Sequence, residues 1–137
     1  MQLWKRLYGA VWLAFFSCVI IPRWTETKTG LWLHVVLGLA MLIVTQSNAR
    51  SLQALPVPAR LKRISKTTVG FAVFQIVCGL GFGAAMHFLP DLPAVMQTLR
   101  IAHIVCALAI LAQTSSLATA YDMWEEKEFQ EPPRPQA

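Results

Sequence analysis

The chain has 137 residues, 55% hydrophobic and only 14% charged, with a mean hydropathy of +0.49. A soluble domain carries about 25% charged residues, so an ordinary water-soluble fold is excluded. The net charge of +5 does not indicate nucleic acid, because the basic residues fall in short segments beside apolar runs, where they set membrane orientation.

Four stretches lack Asp, Glu, Lys and Arg: Leu7–Pro22, Thr29–Ala49, Thr67–Pro90 and Ile101–Tyr121, of 16, 21, 24 and 21 residues. A membrane-spanning helix needs about 20 residues, within a range of about 17–25. The first stretch reaches that range by snorkelling Lys5 and Arg6. A β-barrel would alternate apolar and polar residues, which these runs do not. The fold expected is all-α and integral to a membrane: an antiparallel bundle of four transmembrane helices at about 4–22, 29–48, 67–88 and 99–121. Together they make a transmembrane domain of residues 1–121.

Helix one starts behind Lys5-Arg6, which resembles a signal peptide. No small-x-small cleavage site follows, so a retained helix is expected. It stops at Pro22, and Trp24 and Trp32 suit an interfacial belt. Helix two runs from Thr29 to Ser47–Asn48. The next loop, "LPVPARLKRISK", holds two prolines that forbid a continued helix. Arg50, Arg60, Lys62, Arg63 and Lys66 make it the most basic part of the chain, so it and both termini are expected in the cytoplasm. Helix three contains "CGLGFG", with glycine at alternate positions, and "FLPDLP" turns the chain into helix four. The remainder, 122–137, opens charged and ends proline-rich, and is expected to be a cytoplasmic tail, partly disordered or docked on a partner subunit. Cys18, Cys78 and Cys106 lie inside spans without a CxxC spacing, so they read as small core residues rather than a disulfide or zinc set.

Helices two and four repeat one phrase. "LHVVLGLAMLIVTQS" from Leu33 and "AHIVCALAILAQTSS" from Ala102 align at an offset of 69 residues. "YGAVW" (Tyr8–Trp12) echoes "GFAVF" (Gly70–Phe74) more weakly. Two helix pairs return the chain to its starting side, so the halves are expected to be parallel two-helix repeats about an axis along the membrane normal. His34 and His103 then share one depth, about one turn inside the outer boundary.

An ionisable residue within a span is costly, and is a functional candidate unless a neighbouring helix satisfies it. Two histidines across a two-fold axis can approach one iron from opposite faces of a haem. Two histidines without a carboxylate or thiolate do not fill a zinc shell. Gly38 and Ala107, four residues after each histidine, give a flat macrocycle a clearing. Arg100 lies one turn outward of His103, placed to pair with propionates, with Arg23 or Lys28 as further partners. His87 has no repeat mate and reads as an interfacial residue, or as a donor to a quinone or propionate. Gln75 is expected to bond across helices. Met41 and Met86 read as filler.

A four-helix unit with histidine near the outer start of helices two and four, with Gln75 and Gly79 in helix three and a basic loop before it, resembles one half of the heme A synthase family over about Gly30–Tyr121. The resemblance implies a haem-holding bundle that pairs with a second such unit, or as a homodimer in half-length members. That family carries Glu-x-x-His-Arg around its first ligand; here Leu31 and Val35 occupy the Glu and Arg positions. The cysteine pair of its first outer loop is also absent from Pro22–Thr29. The resemblance therefore implies the scaffold at His34 and His103 and not the methyl-oxidising chemistry.

The function expected is a membrane b-type cytochrome subunit. It holds one bis-histidine haem b near the outer face of a bacterial inner membrane and has no catalytic residues of its own. Its partners would be other membrane subunits or a homodimer mate, a periplasmic cytochrome or a quinone, with the lipid bilayer around them. One alternative is a half-size haem-modifying enzyme drawing on Glu26 or Asp91. The other is a cofactor-free scaffold whose histidines only pack.

Overall fold

The computed structural model describes residues 2–20, 26–89 and 91–130, and it is all helical. Pro22, Arg23, Trp24, Pro90 and the tail from 131 lie outside the described residues, so the expectations placed on them are not addressed. The elements are α1 (Leu3–Phe15), a π-helical turn continuing it (Phe16–Ile20), α2 (Lys28–Ala54), α3 (Ala59–Phe88) and α4 (Pro93–Gln130). Among the described residues three helices are long and apolar enough to cross a membrane: Lys28–Ala54, Ala59–Phe88 and Pro93–Lys127. In each apolar window at most 17% of residues are buried inside the protein. Apolar helices this exposed need a non-aqueous surrounding, and a lipid bilayer supplies one.

Helix boundaries differ from the sequence expectation at six places, each with a local cause. Regular α-helix ends at Phe15 in α1, where the π-turn takes over. The start of α2 is capped by Thr27, whose hydroxyl accepts from the Gly30 amide at 3.0 Å. Its end is Ala54 rather than Asn48, just before Leu55-Pro56, where the residue ahead of proline leaves the helical region. Pro58 is the N-cap of α3, so Arg60, Lys62, Arg63 and Lys66 are helical and not part of a loop. Lysine and arginine are good helix formers, and the prolines end the loop at Pro58 rather than extending it to Lys66. Pro93 opens α4 six residues before the expected start, since proline is well suited to a first helical position. At its far end α4 continues through 122–130, the first part of the expected tail, because Tyr121 and Trp124 pack on the helix ends beside them.

α1 touches α2 and α4, and α3 touches α2 and α4. The helices therefore ring the axis in chain order, with α2 and α4 on a diagonal. Neighbours are antiparallel. At the basic end the Tyr8 hydroxyl donates to Asp122, and Gln53 and Lys62 bond each other's backbone carbonyls at 3.2 Å across the α2–α3 turn. That end is closed by Leu7, Leu52, Leu61, Leu117 and Tyr121. Above it, Ala10, Ala72, Met41 and Ile110 meet in a second apolar layer. Small residues let the backbones approach there, as membrane helix packing favours.

The inward stripe of α2 is His34, Gly38, Met41, Thr45, Asn48 and Leu52. The residues 69 positions on, His103, Ala107, Ile110, Thr114, Leu117 and Tyr121, form the inward stripe of α4. Members from Met41 and Ile110 onward are all buried. Thr45 and Thr114 even bond alike. Each donates to carbonyls four and three residues back, Met41 and Leu42 at 2.9 and 3.0 Å, Ile110 and Leu111 at 2.8 and 3.0 Å.

Arg6 behaves unlike a snorkelling residue. It turns inward, half-buried, and donates to Ser47 Oγ at 3.1 Å and Ser51 Oγ at 2.7 Å on α2, while its Nε is buried without a partner among the described residues. Lys5 stays exposed, its ammonium 5.3 Å from the centre of the Trp4 ring.

Candidate functional site

His34 and His103 face each other across the α2–α4 diagonal. Their ring centroids are 5.8 Å apart and the planes meet at 56°. α2 begins six residues before His34 and α4 ten residues before His103, about 9 and 15 Å of helix at about 1.5 Å per residue.

α3 fixes the His103 ring. His103 Nδ1 lies 3.2 Å from the carbonyl oxygen of Gln75, and His103 Nε2 lies 3.0 Å from Gln75 Nε2. A carbonyl can only accept, so Nδ1 carries the proton. Nε2 then holds a lone pair and accepts from the Gln75 amide. Metal-bound histidines typically use this arrangement, with the second ring nitrogen donating to a backbone carbonyl. Gln75 therefore does bond across helices, and it does so to the site histidine. Gly79, one turn on, makes room: a Cβ there would stand 3.2 Å from His103 Cε1 and 3.5 Å from Nδ1.

Three buried polar atoms of this half of the protein have no partner among the described residues: Ser17 Oγ, His34 Nδ1 and Gln75 Oε1. They come from the π-turn, α2 and α3. Buried polar atoms are normally satisfied, so the orphans on His34 and on Gln75, which touches His103, suit an additional occupant.

The remaining predicted residues take different places. A Cβ on Gly38 would meet nothing within 4 Å. Ala107 is half-buried, and its carbonyl accepts from the Cys18 thiol at 3.5 Å, which brings the π-turn beside α4 one turn below His103. Arg100 is exposed on α4, one turn outward of His103, and Lys28 is exposed at the start of α2. His87 is exposed and packs edge-on against its neighbour Phe88 at 4.7 Å. It lies twelve residues from Gln75 along α3, about 18 Å, and is not brought to the pair. Glu26 and Asp91 are exposed in the turns before α2 and α4. Met41 is buried in the apolar layer and Met86 is exposed. Cys78 and Cys106 are buried free thiols, and Cys18 is a half-buried one.

Among the described residues no group of three or more His, Cys, Asp or Glu gathers to hold a metal ion. The donor set is thus two imidazoles. A metal-bound imidazole nitrogen sits about 2 Å from the metal, which puts the centroids of two opposed ligating rings about 6 Å apart, against 5.8 Å here. The pair fits a haem iron in donor type and centroid spacing, and His103 also in tautomer, provided the Gln75 amide moves off Nε2. No family model matches the chain, and neither the curated proteins nor the solved structures include a match.

Proposed function

We propose that this chain is a small membrane cytochrome of b type, in which His34 and His103 would hold the iron of one haem. The observation that carries the reading is the facing pair at 5.8 Å, with the proton of His103 held on Nδ1 by a backbone carbonyl. The four helices would all span the membrane, α1 completing its span through the π-turn. The two helix pairs would be repeats, as their matched inward stripes suggest. The excess of Arg and Lys at the other end supports a cytoplasmic location for both termini, with the histidines toward the outer side.

A bound haem supplies one-electron chemistry at its iron. This chain's own residues do the rest. His34 and His103 would both hold the haem iron, a donor set that favours electron transfer over attack on oxygen. The Gln75 carbonyl holds the ligand proton at His103 Nδ1 and raises the basicity of Nε2. Gly79 lets the ring seat against α3, and Gly38 with Ala107 leaves space beside the α2 and α4 backbones. Arg100 and Lys28 provide charge for propionates at the outer edge. The apolar layer of Ala10, Ala72, Met41 and Ile110 excludes water from below. Electron donor and acceptor would be partner subunits, a periplasmic cytochrome or a quinone.

One observation favours a second reading, a cofactor-free scaffold. Gln75 alone satisfies both nitrogens of His103, as a helix–helix clamp would. Haemin titration of the purified protein separates the two. The cytochrome reading requires saturation at one haem per chain with a six-coordinate low-spin spectrum, lost in His34→Ala and in His103→Ala. Absence of specific binding to a folded wild type selects the scaffold.

A further inference from the structure

At the basic end, away from the histidines, α2 and α3 enclose a groove of about 180 Å³ lined by Gln46, Ala49, Arg50, Gln53, Lys66 and Val69. Arg50 and Lys66 are exposed and meet no acidic side chain among the described residues. The described acids of this end, Asp122, Glu125 and Glu126, all ride on α4, and α4 is diagonal to α2. The groove is therefore cationic, with its own counter-charge on another helix.

Its continuation is apolar. On α2, Ile43 lies seven residues before Arg50, on the same helix face. On α3, Val69 and Val73 follow Lys66 at three and seven residues. Ile43 is 70% exposed and Val73 48%. Further from the basic end the strips run on through Leu39 and Val36 on α2 and Val77 and Leu80 on α3, all exposed. Along this face an exposed apolar surface leads into a pocket with two cations and two amides. A phospholipid has the same layout, with acyl chains in the bilayer and a phosphate at its edge. The position is also right in depth, since the groove spans the last turns of α2, across the end of its charge-free stretch at Ala49.

We propose that this groove binds one acidic phospholipid, its headgroup phosphate held between Arg50 and Lys66 and donated to by the amides of Gln46 and Gln53. The acyl chains lie along Ile43 and Val73. The proposal rests on the membrane location and not on the haem. Each cation near an anionic lipid surface strengthens binding by about fivefold.

The test is native mass spectrometry of the full-length protein in mild detergent, titrated with phosphatidylglycerol or phosphatidylcholine. One equivalent of phosphatidylglycerol should bind about thirtyfold more tightly than phosphatidylcholine. Arg50→Gln and Lys66→Gln should each weaken it about fivefold, and the double variant should abolish the preference. Arg50→Lys should keep it, which shows that charge and not folding is read. Arg60→Gln with Arg63→Gln, cations outside the groove, should leave it unchanged, as should a large excess of inorganic phosphate. Equal affinity for the two lipids would overturn the proposal. So would an equal loss in the Arg60/Arg63 variant, which would mean diffuse attraction, and so would displacement by phosphate, which would mean a free-anion site.

Discussion

Replacing Gln75 by leucine tests whether its amide stands where iron would bind. In the protein without haem the change removes the donor to His103 Nε2 at 3.0 Å. The backbone bond from Nδ1 at 3.2 Å survives, because the carbonyl does not depend on the side chain. Interhelical hydrogen bonds of this kind in membranes average about 0.6 kcal/mol and reach about 1.7, and leaving a buried acceptor unpaired adds to that. Gln75 also carries an unpartnered Oε1, whose desolvation cost the leucine removes. The net loss should be about 1 kcal/mol. If a haem binds as proposed, its iron would take Nε2 and the amide would have nothing to donate to, so the loaded protein should lose almost nothing. The difference appears as tighter binding, by about fivefold for about 1 kcal/mol. Reversible unfolding in mixed micelles measures the first quantity and Soret titration with haemin the second. Weaker haem binding in Gln75→Leu, in a protein that still folds, would refute the idea that the amide competes with the metal.

Other consequences can be checked separately. Gly79→Ala should reduce haem loading, since its methyl presses on His103 at 3.2 Å. Gly83→Ala, which meets nothing within 4 Å, should not. Ser51→Ala should destabilise the protein by about 1.5–3 kcal/mol through its charge-assisted bond to Arg6, read by unfolding in mixed micelles. Tyr8→Phe, whose partner Asp122 is met at an exposed site, should cost less than about 1 kcal/mol by the same assay. Leu52→Ala, at a fully buried position, should cost about 2–5 kcal/mol. In a background lacking the native cysteines, a cysteine at Ala59 should label only from the cytoplasmic side and one at Ala94 only from outside. Reversed labelling would turn the histidine end inward.

Charge-free runs were enough to read the helices, because a span must be apolar along its whole length. Their ends were not legible in the same way. Arg60 to Lys66 read as loop because they follow two prolines and are charged, whereas Pro58 starts a helix there and their propensity continues it. The pairing of His34 with His103 could be read from a phrase repeated at a fixed offset, since equal offsets in antiparallel pairs give equal depth. The supports of that pair were half legible. Gln75 stood out as a polar residue in an apolar run, but nothing in a sequence tells that its backbone carbonyl would hold the ring. Gly79 was visible as one of three alternate glycines, and only packing distinguishes it from Gly83. Arg6 was misread because its partners, Ser47 and Ser51, are 41 and 45 residues away. Serine spacing of four on one helix face was the available signal.

The most direct measurement is the absorbance of the protein as purified from haem-replete membranes, before and after dithionite. The account predicts one haem per chain, a sharp low-spin α band on reduction and no change on adding carbon monoxide, with the spectrum abolished in His34→Ala and in His103→Ala. A colourless, folded wild type would contradict it, as would a haem retained unchanged by both variants.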